Sequence, residues 1–134
     1  MNLPIPQPTE TTRPFWDGLR EGKIRLQYSP SSRQWVFYPR VLAPGTLADD
    51  LEWREISGAG TVYTYTIAYR PTAPAWSDRL PQIIVVVETD EGARIPSELV
   101  DVQPDDVRVG LRVAPVFDRS ADGESVLLKF RPAA

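Results

Sequence analysis

The side chains that carry most enzyme chemistry are missing from this chain. Its 134 residues include no histidine and no cysteine. Without imidazole or thiolate there is no Ser-His-Asp triad, no Cys-His dyad and no histidine general base. Any metal ion would have to be held by oxygen. The carboxylates come in pairs, Asp49-Asp50, Asp90-Glu91 and Asp105-Asp106. Acidic pairs beside Gly or Pro mark turns, where Asp accepts from nearby backbone N–H groups, and they read as turns here rather than as acid–base pairs. Ser29 and Ser97 have no base to activate them. Gly58-x-Gly60 precedes a strand pattern and not a helix, so it is not a dinucleotide loop.

What remains points to binding. Tyr63, Tyr65 and Tyr69 fall at odd positions of one β-branched and aromatic run, so period-2 alternation puts them on one strand face. Such a row suits a platform for stacking bases. Core packing with cross-strand pairing is the favoured reading, because no Lys or Arg is interleaved with the rings. Phe15, Trp16, Tyr28, Trp35, Phe37 and Tyr38 are a second aromatic group. One short helix and one hairpin cannot bury six large rings, so some belong to a core and some to a surface.

The elements that position these groups follow from the pattern. Pro4, Pro6 and Pro8 alternate, which predicts an extended arm over residues 1–12 whose Leu3 and Ile5 lie against something. Thr12, as a cap, and Pro14 start a helix that presents Phe15, Trp16 and Leu19 and stops at Gly22. Residues 24–28 and 35–38 form a hairpin across Ser29-Pro30-Ser31-Ser32. Residues 51–56, 61–69, 82–89, 93–96, 107–117 and 125–130 read as strands, with turns at the spacing of a small barrel. Residues 107–117 read as a strand pair or as one strand bent at Gly110, and Pro115 argues for an edge.

Four segments, in order, resemble the DUF35 family of acyl-CoA-associated OB-fold proteins with an N-terminal zinc ribbon. They are Pro14-Phe15-Trp16-Asp17-Gly18-Leu19-Arg20-Glu21-Gly22-Lys23-Ile24, Gln34-Trp35-Val36-Phe37-Tyr38-Pro39-Arg40, Ser57-Gly58-Ala59-Gly60-Thr61-Val62-Tyr63-Thr64-Tyr65-Thr66 and Asp105-Asp106-Val107-Arg108-Val109-Gly110-Leu111-Arg112-Val113. The resemblance spans residues 13–131. It implies a mainly β fold: residues 13–50 as a helix plus a rubredoxin-like ribbon hairpin, and 51–134 as a five-stranded OB barrel. The family's ribbon holds zinc with two C-x-x-C pairs. By spacing these fall at Ser29 and Ser32 and at Ala43 and Thr46, which cannot replace four thiolates. A metal-free ribbon is expected, held by packing of Tyr28, Trp35, Phe37 and the helix aromatics, with a looser loop over 40–50.

The resemblance also implies the partner. It predicts a non-catalytic subunit of a thiolase-like acyltransferase, thiolase or steroid side-chain aldolase complex, in which another chain supplies the nucleophile. Phe15, Trp16, Trp35, Phe37 and Tyr38 become the candidate partner interface. Arg70, Trp76 and Arg79 become candidate contacts for a coenzyme A thioester, the guanidinium groups for phosphates and the indole for adenine or the acyl chain. No other cofactor is expected. The alternatives are a single-stranded nucleic-acid module and a small enzyme using Asp, Tyr and Arg. The formal charge of −3 opposes the former. No apolar run is of membrane-spanning length. The N-terminal sequence has no signal pattern, so a cytoplasmic location is expected.

Overall fold

A computed structural model of the chain describes residues 3–133. Its elements are α1 (Arg13–Arg20), β1 (Ile24–Ser29), β2 (Gln34–Val36), β3 (Glu52–Ile56), β4 (Gly60–Ala68), β5 (Gln82–Thr89), β6 (Arg94–Leu99), β7 (Arg112–Arg119) and β8 (Val126–Pro132). Short 3-10 turns cover Pro74–Arg79 and Pro104–Asp106. The first three strands form an antiparallel sheet in the order β2-β1-β3. The other five close a barrel in the order β4-β5-β6-β8-β7, the OB arrangement.

The helix forms as its sequence dictates, with Pro14 in the first turn and a stop at Gly22 (φ +75°). Its cap does not. The Thr12 hydroxyl turns back to accept from the Thr9 N–H at 2.8 Å and gives no cap to the helix. Phe15 and Leu19 drop from α1 into a single core with Ile24, Leu26 and Ile56 of the ribbon sheet and Val62, Val85, Val87, Ile95, Val113 and Phe130 of the barrel. Burial of that continuous apolar surface is what joins the ribbon to the barrel.

Two strand assignments change. The alternation over 51–56 predicts a barrel strand, but β3 pairs with β1, from Ile24↔Ile56 to Tyr28↔Glu52. Alternation identifies a strand without naming its neighbour, and here the neighbour is the ribbon. The run 107–117 is neither a strand pair nor one bent strand. Residues 107–111 form a turn that closes on β4, through Gly110 N–H to the Val62 carbonyl (2.8 Å) and Val62 N–H to the Leu111 carbonyl (2.9 Å). Strand β7 starts only at Arg112. It pairs with β4 through Gly60↔Val113 and Thr61↔Arg112, and Pro115 lies beyond that pairing, where its missing N–H costs no ladder bond.

The Ser57–Gly60 segment turns the chain from ribbon to barrel, and its glycines are required. Gly58 sits at φ +79°, and a Cβ there would fall 2.4 Å from Ile24 Cδ1. A Cβ on Gly60 would fall 2.4 Å from the Glu88 carbonyl oxygen and 2.9 Å from Thr89 Cα. The second contact is with backbone, which cannot swing aside. Gly60→Ala is expected to cost about 2 kcal/mol or more, seen as a lowered urea midpoint at unchanged slope. An unaltered midpoint would show that β4 and β5 are not so close.

Candidate functional site

Strands β5, β6 and β8, the helix and the ribbon enclose an apolar groove of about 360 Å³. The helix contributes Trp16, the segment after β2 contributes Phe37 and Tyr38, and the loop before β5 contributes Trp76. Ile84, Pro96 and Leu128 complete the apolar wall, with Glu98 and Lys129 at its polar end. The rings are locked edge to face. Phe15 lies 5.0 Å from Trp16 and 5.5 Å from Phe37 between centroids, and the Trp16 indole N–H donates to the Tyr38 hydroxyl at 3.0 Å. Phe15 itself is 2% exposed and supports the visible rings from below.

Not every candidate residue meets here. Trp35 pairs with Tyr28 (4.9 Å) away from the groove, and its indole N–H donates to the Glu91 carbonyl at 2.9 Å, tying the ribbon to the β5–β6 turn. Arg79 lines a different cavity, of about 410 Å³, between the β7–β8 hairpin and the N-terminal arm. Leu3 and Ile5 of that arm form one of its walls. Arg70 lines neither cavity. Leu127 and Lys129 line both, so the two spaces meet at β8. The Lys129 ammonium is 8% exposed as a residue and pairs with Asp118 (2.7 Å) and Glu98 (3.3 Å). Nothing in the sequence marks Ile84, Glu98, Leu128 or Lys129 as lining one groove; they meet because β5, β6 and β8 are neighbours in the barrel.

The tyrosines correct an expectation. They do not form a core face. Tyr63, Tyr65 and Tyr69 are all exposed, and a bulge between Val62 and Thr64 breaks the alternation. Tyr63 carries the Arg94 guanidinium 4.0 Å above its ring, and Arg94 in turn pairs with Glu88 at 3.0 Å.

At the four ribbon positions the side chains are hydroxyls and one methyl group. Ser29 and Ala43 are buried, and the Ser32 and Thr46 hydroxyls are hydrogen-bonded to each other at 2.7 Å. Such a donor set does not fit zinc, which takes thiolate or imidazole in structural sites. The loop over 40–50, expected to be looser, is pinned. Gln27 brackets Arg40 through its carbonyl (2.8 Å) and N–H (2.7 Å), and Gln34 Nε2 reaches the Pro44 carbonyl at 3.0 Å. Among the described residues no three His, Cys, Asp or Glu side chains are placed to hold a metal ion.

Two carboxylates, the half-buried Glu91 and the exposed Asp90, close the junction between sheets. Burial pushes the Glu91 carboxyl up, but the N–H and hydroxyl of Ser57 donate to it (3.0 and 2.8 Å) and hold it below its ordinary value. The Arg112 guanidinium does the same for Asp90 across a 2.8 Å contact. Lowered carboxyl pKa values mean stability that is present above the ordinary value near about 4 and is lost as pH falls through the lowered folded values. The melting temperature is therefore expected to stay level from pH 7 to about 5 and to fall below about 4. A melting temperature that rises on acidification would contradict these pairings.

With this geometry in hand, comparison with known proteins is decisive. A DUF35 domain-containing scaffold protein of Methanothermobacter thermautotrophicus is 34% identical over 104 residues, covering 72% of this chain and 77% of that protein. The chain belongs to the DUF35 family. The family profile described as "ChsH2, C-terminal OB-fold domain" matches residues 53–118. A protein named "probable enoyl-CoA hydratase alpha subunit" from Thermomonospora curvata is 31% identical over 121 residues, covering 89% of this chain. The DUF35 chain spans only 37% of that relative's length. Among solved structures, a chain of the Ltp2-ChsH2(DUF35) aldolase superposes with a TM-score of 0.80 at 27% identity, covering 96% of this chain and 99% of that one. The longest apolar helical stretch is too short to cross a membrane: no described helix is long and apolar enough.

Proposed function

We propose that this DUF35 chain is a non-catalytic accessory subunit of a thiolase-like acyl-CoA enzyme complex of the acyltransferase, thiolase or aldolase type. The observation that carries this reading is its end-to-end correspondence with a chain of the Ltp2-ChsH2(DUF35) aldolase. The site chemistry supports it. The serine hydroxyl and the lysine amine that line the groove are already engaged: Ser97 donates to the Leu128 carbonyl at 2.7 Å, Lys129 is paired with Asp118 and Glu98, and the chain has no imidazole to activate either. What the groove offers is an apolar, ring-lined surface whose side chains are already fixed by one another, the property of a docking face.

On this reading the thiolase-fold partner supplies the nucleophile and bases. The DUF35 subunit supplies a rigid shoulder built from Trp16, Phe37, Tyr38 and Trp76. Arg70, Trp76 and Arg79 are proposed contacts for the coenzyme A portion of the thioester, Trp76 at the groove and Arg79 in the adjoining cavity. The nucleic-acid reading is weakened by the pairing of its would-be cations, Arg94 with Glu88 and Lys129 with Asp118 and Glu98. The test is co-expression with a thiolase-fold protein from the same genome. A stable complex whose acyl-CoA activity depends on both chains is expected. A partner that is fully active alone and never co-purifies with this chain would end the proposal.

A further inference from the structure

The resemblance places zinc knuckles at the two ribbon turns, and we infer that Asp50, with the Ser32–Thr46 hydroxyl pair, does the holding there that a metal would do. The two turns, Ser29–Ser32 and Ala43–Thr46, are each followed by a left-handed residue that is not glycine, Arg33 at φ +54° and Leu47 at φ +58°. Non-glycine residues enter that region at a cost in backbone energy. Two such residues, at equivalent places, call for contacts that offset this cost.

The hydrogen bonds show what holds them. Asp50 reaches back from the residues preceding β3 to the first turn. Its Oδ1 accepts from the Ser29 hydroxyl at 2.7 Å and its Oδ2 accepts from the Ser31 N–H at 2.8 Å. Ser29 Oγ also accepts from the Ser32 N–H at 3.2 Å, so one buried hydroxyl links the carboxylate to the turn. The Ser32 hydroxyl meets that of Thr46 at 2.7 Å, which couples the first turn to the second. Thr46 Oγ1 accepts from the Ala48 N–H at 3.3 Å, and the second turn closes on itself through Leu47 N–H to the Ala43 carbonyl at 2.9 Å. Hydrogen bonds to an ionised acceptor are the stronger class, and here one carboxylate makes two. The segment between the turns carries Phe37 and Tyr38, so this clasp also sets the ribbon wall of the groove. The inference is independent of the proposed function, because it concerns the free chain alone.

The test is amide hydrogen exchange on the full-length chain, read by mass spectrometry with EDTA or with zinc chloride. In the parent chain, exchange over residues 29–33 and 43–50 is expected to be the same in both. Asp50→Ala is expected to speed exchange in both turns by about ten-fold while residues 82–99 stay unchanged. Ser29→Ala should match it, and the double variant should add little. Asp50→Asn, which keeps the shape and loses one acceptor, should fall between. Faster exchange of the parent chain in EDTA, or turns in Asp50→Ala that exchange like the parent, would overturn the inference.

Discussion

Trp76→Ala is expected to weaken assembly with the thiolase-like partner by about 2 kcal/mol, ~30-fold in Kd, while leaving the melting temperature of the free chain unchanged. Aromatic anchors at the centre of an interface carry a disproportionate share of binding energy. Trp76 is half-buried in the 3-10 turn before β5 and takes no part in the central core. Binding and folding are therefore separable at this position. They are not separable at Trp16, which packs against the core and donates to Tyr38. Trp16→Ala should lower both affinity and stability. Tyr63→Ala is the control, since Tyr63 is 46% exposed and is not among the groove's lining residues. Titration calorimetry on the three variants checks the set. Equal weakening by Tyr63→Ala and Trp76→Ala would move the interface to another face.

The largest effect on folding is expected at Phe130. Its side chain is 0% exposed. It sits where the barrel closes, opposite Leu99 of β6 in the one parallel pairing and opposite Pro115 of β7. Its carbonyl accepts from the Val100 N–H at 2.8 Å, continuing the seam. Phe130→Ala removes a ring from a site walled by strands that cannot collapse inward, which costs about 3–5 kcal/mol. Domains of this size are stable by about 5–15 kcal/mol in all, so the variant should be close to unfolding at 25 °C. Phe130→Leu keeps most of the volume and should cost less than about 1.5 kcal/mol. Urea titration distinguishes them, and similar midpoints for the two variants would show that the seam tolerates a void.

The barrel was legible in the sequence because its signals are local. The β-branched run over 61–69, the doubly apolar run over 82–89 and the glycines at 58 and 60 each specify their own geometry, and the structure gives the physical reason for both glycines. The ribbon positions Ser29, Ser32, Ala43 and Thr46 were legible from resemblance, since spacing alone would have called them turns. What escaped depends on contacts between distant segments. Strand β3 alternates in the same way whether it pairs with β1 or with the barrel. The Val62/Thr64 bulge has no signature in Thr-Val-Tyr-Thr-Tyr, so the tyrosines were set on one face. Asp50 looked like half of an acidic turn, and its bonds to Ser29 and Ser31 lie 21 and 19 residues away in sequence. The groove itself is assembled from six separate segments, none of which is unusual alone.

The hydroxyl-and-carboxylate ribbon has a consequence for oxidative stress. A zinc–thiolate knuckle is a point of attack for peroxide, because oxidised sulfur no longer holds the ion and the hairpin opens. This chain has replaced all four sulfur positions with oxygen or carbon, and its one methionine is residue 1. An oxidant finds no thiol whose loss would undo the fold. The apolar groove, which takes Phe37 and Tyr38 from that ribbon, rests on a support that peroxide at concentrations damaging to thiols leaves intact.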